Sequence, residues 1–114
     1  MKLFAALRKM REFERAHLSF CKSLIDFDIL IEIGYAEEQK QPLTPKHLYL
    51  RKLGPLTTVR RRLGVLAEQG IVRRQKNAHD RRSTFLTITS SSLKLLGEYG
   101  KVLTSIFRAD LMAA

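Results

Sequence analysis

The stretch that decides the fold is TPKHLYLRKLGPLTTVRRRLGVLAEQGIVRRQKNAHDRR, which occupies residues 44–82. It opens with Thr44 and Pro45, and a threonine N-cap followed by proline at the first helical position is a typical helix start. The helix that begins there is predicted to end near Leu53, because a Gly-Pro pair follows it. The stretch therefore begins with a short helix and a tight turn.

A second helix is predicted after this turn, from near Pro55 to about Gln69, where Gly70 provides a left-handed C-cap. Helical spacing places four apolar residues on one face: Leu56, Val59, Leu63 and Leu66. The other side carries mostly polar residues: Thr57, Arg60, Arg61, Gly64 and Glu68, with Thr58 near its edge. This helix is expected to bury its leucine face and expose a basic one.

A basic β-hairpin is predicted directly after the second helix. Residues 71–76 and 83–88 have the composition of strands, and residues 77–82 form a polar turn between them. A short helix, a tight turn and a helix with a basic outer face follow the helix-turn-helix plan. The hairpin that follows makes this a winged helix.

Helices are also predicted on both sides of this region, over residues 3–20, 24–37 and 90–111. The helix over 24–37 is apolar on most sides, so we expect it to be central and buried, with Ser23 and Asp26 as a capping pair at its start. Thr89 is the expected cap of the last helix. The first and last helices carry apolar surface that a homodimer would cover.

The predicted fold class is therefore mainly α with a small β-hairpin, a winged helix-turn-helix in the order α-α-α-α-β-wing-β-α. We expect one domain over residues 1–114. Its parts are an N-terminal dimerisation helix at 1–22, a winged-helix DNA-binding core at 24–89 and a C-terminal dimerisation helix at 90–111.

The positive charge is concentrated in the central third of the chain. The 114 residues include 21 Lys and Arg and 11 Asp and Glu, a formal net charge of +10. Residues 44–82 hold eleven basic and two acidic residues, a net charge of +9, whereas residues 1–43 sum to zero and residues 83–114 to +1. Such localisation fits a binding footprint for a polyanion better than a surface kept basic for solubility.

Several other classes of protein fit the sequence poorly. A single cysteine, Cys21, excludes a disulfide framework, and a buried, inert thiol is the favoured interpretation over an oxidant sensor. His17, His47 and His79 have no metal-ligand spacing, and no phosphate loop or catalytic arrangement is present, so we expect no cofactor and no enzymatic activity. No apolar run approaches the roughly 20 residues of a membrane span, and we expect a cytoplasmic protein.

The sequence resembles the MarR family of bacterial transcription regulators in three stretches. Residues 58–72 look like that family's recognition helix and its exit, and residues 77–89 look like its wing. Residues 28–44 are similar in spacing to the helix and loop before the motif. Asn77 departs from the family pattern, which usually has aspartate at this first position of the wing, and the chain is shorter than most members at both ends.

The resemblance implies a role for each polar residue of the motif. Thr57, Thr58, Arg60 and Arg61 would face the major groove of double-stranded DNA, with Arg61 the foremost candidate for contact with a base, while Arg62 lies closer to the buried side and would reach phosphate. Arg81 and Arg82 would enter the minor groove, with Asp80 orienting one of them. Arg73, Arg74 and Lys76 would neutralise phosphates.

Alternatives from other classes remain open on the sequence alone. A winged helix can serve as a protein–protein module for an acidic partner, or bind structured RNA, although the few aromatic residues offer little platform for stacking bases. Members of the family commonly bind a small-molecule effector, which this sequence does not identify. In a DNA-binding homodimer, the two half-sites would lie about 34–36 Å apart.

Overall fold

The computed structural model describes residues 1–80 and 82–112 and has five α-helices and one antiparallel hairpin in those ranges. The elements are α1 (Leu3–His17), α2 (Leu24–Glu38), α3 (Pro45–Leu50), α4 (Leu56–Glu68), β1 (Val72–Lys76), β2 (Thr84–Ile88) and α5 (Ser90–Ile106), followed by a π-helical segment, Phe107–Met112. The predicted fold class is confirmed. None of the helices within residues 1–80 and 82–112 combines the length with the apolar composition that a membrane span requires.

The chain divides into two compact units. The central unit is Lys22–Ser90 and contains α2, α3, α4 and the hairpin, and the terminal unit combines Met1–Cys21 with the segment that begins at Ser91.

Local signals set the start of α3 and the end of α4 as predicted. The Thr44 hydroxyl accepts a hydrogen bond from the backbone N–H of His47 at 3.1 Å, and Pro45 opens the helix. Gly70 follows α4 with a φ of 73°, the left-handed conformation that favours glycine. The α3 helix is shorter than predicted, because it ends at Leu50.

The hairpin is held to the rest of the central unit through β2. Its register pairs Val72 with Ile88 at the base and Lys76 with Thr84 near the tip. The Leu86 N–H donates to the carbonyl of Leu43 at 2.7 Å, in the loop before α3. The Ile88 N–H donates to the Glu37 carboxylate at 2.6 Å, and this role of an α2 side chain has no signal in the sequence.

The core of the central unit forms where α2, α3, α4 and β2 meet. Its most deeply buried apolar side chains are Ile29, Ile33, Leu48, Leu63, Leu66 and Leu86. The prediction that α2 is buried on most sides is wrong in part, because Leu24, Ile31 and Tyr35 are 67%, 63% and 58% exposed. The described elements cover one face of α2 and leave these side chains in solvent.

The predicted capping pair at the start of α2 is also wrong. The Ser23 side chain makes no capping hydrogen bond. The Asp26 carboxylate instead accepts from the backbone N–H of Lys22 at 2.6 Å and is fully buried. A buried carboxylate needs charged or polar partners, and the charged partner of Asp26 is Arg62 of α4.

The terminal unit is joined by polar contacts between its two segments. The Lys2 N–H donates to the carbonyl of Asp110 at 2.6 Å, and the Lys9 ammonium pairs with the Asp110 carboxylate at 2.7 Å. The Tyr99 hydroxyl donates to the Glu14 carboxylate at 2.5 Å. Burial of the hydroxyl, and to a smaller extent this hydrogen bond, raise the pKa of Tyr99 above its usual range. The first helix ends at His17 rather than near residue 20, and the predicted last helix is α-helical only as far as Ile106.

Candidate nucleic-acid interface

The outer face of α4 is polar and exposed, as its helical periodicity predicts. The inner face buries Val59, Leu63 and Leu66, which have exposed fractions of 2% or less. The predicted base-reading residues lie away from this face: Thr57, Arg60 and Arg61 are exposed, and Thr58 is half-buried at the edge. The helix therefore presents two guanidinium groups and two hydroxyls outside its packed side.

An aromatic residue on α3 supports one of these guanidinium groups. The Cζ atom of Arg60 lies 5.3 Å from the centroid of the Tyr49 ring. This is within the range of a cation–π interaction, which is worth about 0.5–1 kcal/mol at an exposed site. Tyr49 is not among the site residues predicted from the sequence. The sequence shows only that an aromatic residue lies near the end of α3, the helix that precedes α4.

Arg62 corrects the predicted set of DNA-contacting residues. Its Nε donates to Asp26 Oδ1 at 2.7 Å, and its Nη2 donates to Asp26 Oδ2 at 3.0 Å. The Arg62 side chain is 15% exposed and the Asp26 side chain is fully buried. This bidentate ion pair directs the Arg62 guanidinium into the unit, where it joins α4 to the start of α2, so a phosphate contact is not its role here.

The hairpin projects its basic residues into solvent. After the buried Val72, every residue of β1 is exposed, including Arg73, Arg74 and Lys76. On the other strand, Leu86 and Ile88 are buried. The base of the hairpin therefore packs on the unit, and its basic strand faces water.

The turn of the hairpin is built by two side chains that bond to the backbone. The Asn77 Oδ1 accepts from the N–H of His79 at 2.9 Å. The Asp80 Oδ1 accepts from the N–H of Arg82 at 3.0 Å, and the Asp80 carbonyl accepts from the N–H of Ser83 at 3.1 Å. The Asp80 carboxylate thus shapes the turn through the backbone of Arg82. That Asp80 also orients an arginine side chain stays a prediction. Arg82 is exposed, and Arg81 lies outside the described residues.

Asparagine and aspartate are equivalent at position 77 for this geometry. Both carry an oxygen that accepts a hydrogen bond from the backbone two residues on. The departure from the family pattern at Asn77 therefore leaves the turn intact.

Solved structures of transcriptional regulators share this architecture. One is a mutant of S. aureus MepR bound to an oligodeoxyribonucleotide, with 16% identity, a TM-score of 0.70 and coverage of 97% of this chain and 79% of that one. Another is the regulator Tm0710 from Thermotoga maritima, with 24% identity, a TM-score of 0.66 and coverage of 90% and 69%. A third is a mutant MarR from E. coli complexed with operator DNA, with 20% identity, a TM-score of 0.55 and coverage of 93% and 77%. The chain has the winged-helix fold of MarR-type regulators.

Comparison at the level of sequence gives no further assignment. No family model matches the chain, and no curated protein matches it. At identities below 25%, the similarity to solved structures establishes the fold alone.

In this winged helix, α3 and α4 form the helix-turn-helix, and the β1–β2 hairpin is the wing. Every described basic residue between positions 44 and 82 is exposed except Arg62. The concentration of charge in the sequence therefore becomes a concentration of cations on the surface of the central unit.

Proposed function

We propose that this chain is a MarR-like transcription regulator that binds double-stranded DNA in a sequence-specific manner. The observation that carries the proposal is the exposure of nearly all the basic residues of 44–82 on the helix-turn-helix and wing. An exposed basic face on this motif is the electrostatic footprint of a DNA-binding protein. The MepR and MarR structures that contain DNA support the same proposal.

In this proposal, the outer face of α4 enters the major groove. Arg61 has no ion pair with another residue of the described ranges and is exposed, so its guanidinium is available to the N7 and O6 atoms of guanine. Arg60 is held by Tyr49, and the hydroxyls of Thr57 and Thr58 suit either base edges or phosphates. A bidentate arginine–guanine contact discriminates by about 1–3 kcal/mol, so Arg61 carries the largest expected share of specificity.

The wing supplies a second set of contacts. Arg73, Arg74 and Lys76 are exposed along β1 and would neutralise phosphates, which adds affinity and dependence on salt. Arg81 and Arg82 would enter the minor groove, as the resemblance implies. Asp80 contributes by closing the turn through its bonds to the backbone N–H groups of Arg82 and Ser83.

The protein is proposed to act as a homodimer in the bacterial cytoplasm. The terminal unit exposes large apolar side chains, among them Phe4 at 82%, Phe107 at 51% and Met112 at 65%. A second copy that covers this surface would also bring two recognition helices to one DNA duplex, as a palindromic operator requires. Sedimentation equilibrium at micromolar concentration tests this, and a monomeric mass would refute it.

The experiment that tests the function is selection from a pool of random duplex DNA at two salt concentrations. Wild type, Arg61→Ala and the control Arg15→Ala are compared, because Arg15 is also an exposed arginine but lies on α1. We expect an enriched palindromic motif that Arg61→Ala loses and Arg15→Ala retains. Weak binding without a motif, or preference for structured RNA or an acidic protein, would refute sequence-specific DNA binding.

A further inference from the structure

The turn between α3 and α4 contains a lysine in an unfavourable backbone conformation. Lys52 has a φ of 55°, in the left-handed region where a side chain crowds the backbone and where glycine is the usual residue. Among the described residues other than glycine, Lys40 alone shares this feature, with a φ of 58°. A lysine at such a position requires a reason that its backbone does not supply.

Lys40 has a reason within the fold. It follows α2, a helix of 15 residues that has no basic residue in its last turn and ends in Glu37 and Glu38. A cation just beyond this end offsets both the negative helix terminus and the two carboxylates. The charge of Lys40 is therefore accounted for by its own neighbours.

Lys52 has no comparable reason. It follows α3, which has six residues, and the C-cap of that helix is already a cation, Arg51, which pairs with Glu32 at 3.5 Å. Lys52 is exposed, and its ammonium forms no ion pair with any residue of 1–80 or 82–112. Its charge is thus left for a partner outside the chain.

The surroundings of Lys52 fix where that charge is presented. The Lys52 N–H donates to the carbonyl of Tyr49 at 3.2 Å, and the ring of the same Tyr49 lies 5.3 Å from the Arg60 guanidinium. On the far side of the turn, a Cβ added at Gly54 would lie 2.7 Å from Cδ1 of Ile25, so the chain passes close to α2 there. One tyrosine therefore contacts both the backbone of Lys52 and the side chain of Arg60.

We propose that Lys52 binds a backbone phosphate of the duplex, next to the N-terminal end of α4, where the proposed base contacts begin. This inference rests on the proposed function and adds to it a contact that fixes the position of α4 on the DNA without reading sequence. An ammonium suits this task because it acts as a compact point charge toward phosphate oxygen.

The test compares four proteins on two DNA duplexes. Wild type, Lys52→Gly, Lys52→Arg and Lys40→Gly are titrated with a duplex of the selected motif and with a scrambled duplex, between 50 and 200 mM NaCl. Lys52→Gly is expected to weaken binding to both duplexes by a similar factor, roughly three- to tenfold at low salt, and to reduce the slope of log K against log salt by about 0.9 per subunit. Lys52→Arg is expected to retain the wild-type slope.

Thermal unfolding separates this effect from misfolding. Both glycine variants remove a side chain from a left-handed position, so their Tm is expected to equal or exceed that of the wild type. Lys52→Asn, which also tolerates this conformation, provides a second neutral variant. Reduced binding by a protein of undiminished stability supports the phosphate contact.

Three results would contradict the proposal in distinguishable ways. Wild type that binds neither duplex refutes the proposed function, and this inference falls with it. Wild type that binds, with an unchanged affinity and salt slope in Lys52→Gly, refutes the phosphate contact alone. An equal change of slope in Lys40→Gly refutes the assignment of the phosphate contact to Lys52, because the loss of one positive charge would then be sufficient to explain the effect.

Discussion

Replacing Arg62 with methionine is predicted to destabilise the central unit by about 3–5 kcal/mol, because it leaves a buried carboxylate without its cation. The Asp26 side chain is fully buried and accepts three hydrogen bonds: from Arg62 Nε at 2.7 Å, from Arg62 Nη2 at 3.0 Å and from the Lys22 N–H at 2.6 Å. The variant retains only the last of these. Since domains are stable by about 5–15 kcal/mol, this change removes a large share of the total.

Removing the Asp26 carboxylate instead of the Arg62 guanidinium is predicted to lower the free energy of unfolding by a smaller amount. Asp26→Asn keeps the shape of the side chain, and Arg62 retains 15% exposure through which its charge can reach water. The loss is then that of hydrogen bonds to a charged group, about 1.5–3 kcal/mol. The double variant Asp26→Leu with Arg62→Met replaces both charges with apolar groups and is predicted to recover most of the loss, because neither charge remains buried alone.

Urea unfolding monitored by circular dichroism measures the free energy of unfolding of each variant and completes the double-mutant cycle. Arg61→Met is the matched control, since Arg61 is the adjacent exposed arginine, and its effect is expected to stay within about 0.5 kcal/mol. A loss below about 1 kcal/mol in Arg62→Met, equal to that of the control, would refute the reasoning from the buried pair.

Three further predictions concern two side-chain contacts and one backbone conformation. Tyr49→Leu removes the cation–π contact of Arg60 and is expected to weaken binding to the selected duplex about two- to fivefold. Tyr49→Phe keeps an aromatic ring and is expected to preserve the affinity. Equal affinities of the two variants in fluorescence anisotropy titrations would contradict this. Glu37→Ala is expected to lower the free energy of unfolding by about 1–3 kcal/mol, because the Ile88 N–H loses its partner, and hydrogen exchange at Ile88 should accelerate. Gly70→Ala is expected to cost about 1 kcal/mol in urea unfolding, because its φ of 73° is strained for alanine; a neutral result would show that the helix end adjusts.

The parts of the fold that follow from local chemistry were predicted from the sequence. Thr44 and Pro45 mark the start of α3, Gly70 marks the end of α4, and the spacing of Val59, Leu63 and Leu66 separates the packed face from the polar one. Each of these signals acts within one or two turns of chain. Local backbone and packing preferences are therefore enough to specify them.

Contacts between distant residues were not predicted. Arg61 and Arg62 are neighbours with the same side chain, and what separates their roles is a carboxylate 36 positions away in the sequence. Glu37 and Ile88 are 51 positions apart. In both cases one residue type permits several partners, and the three-dimensional packing of α2 against α4 and β2 selects one. The candidate site was thus predicted as a set of exposed polar and charged residues, while the contacts of Arg62 and Tyr49 depended on the tertiary structure.

The way in which the hairpin is fastened also bears on the solubility of the protein. One edge of β2 pairs with β1, and its other edge bonds to Leu43 and Glu37, whereas β1 pairs only with β2 in the described part of the chain. The outer backbone of β1 is therefore an open template on which a strand of another molecule could add. Its residues include Arg73, Arg74 and Lys76, and like charges on an edge strand repel an identical strand that approaches it. The same cations that are proposed to hold DNA thus protect the free protein from edge-to-edge aggregation.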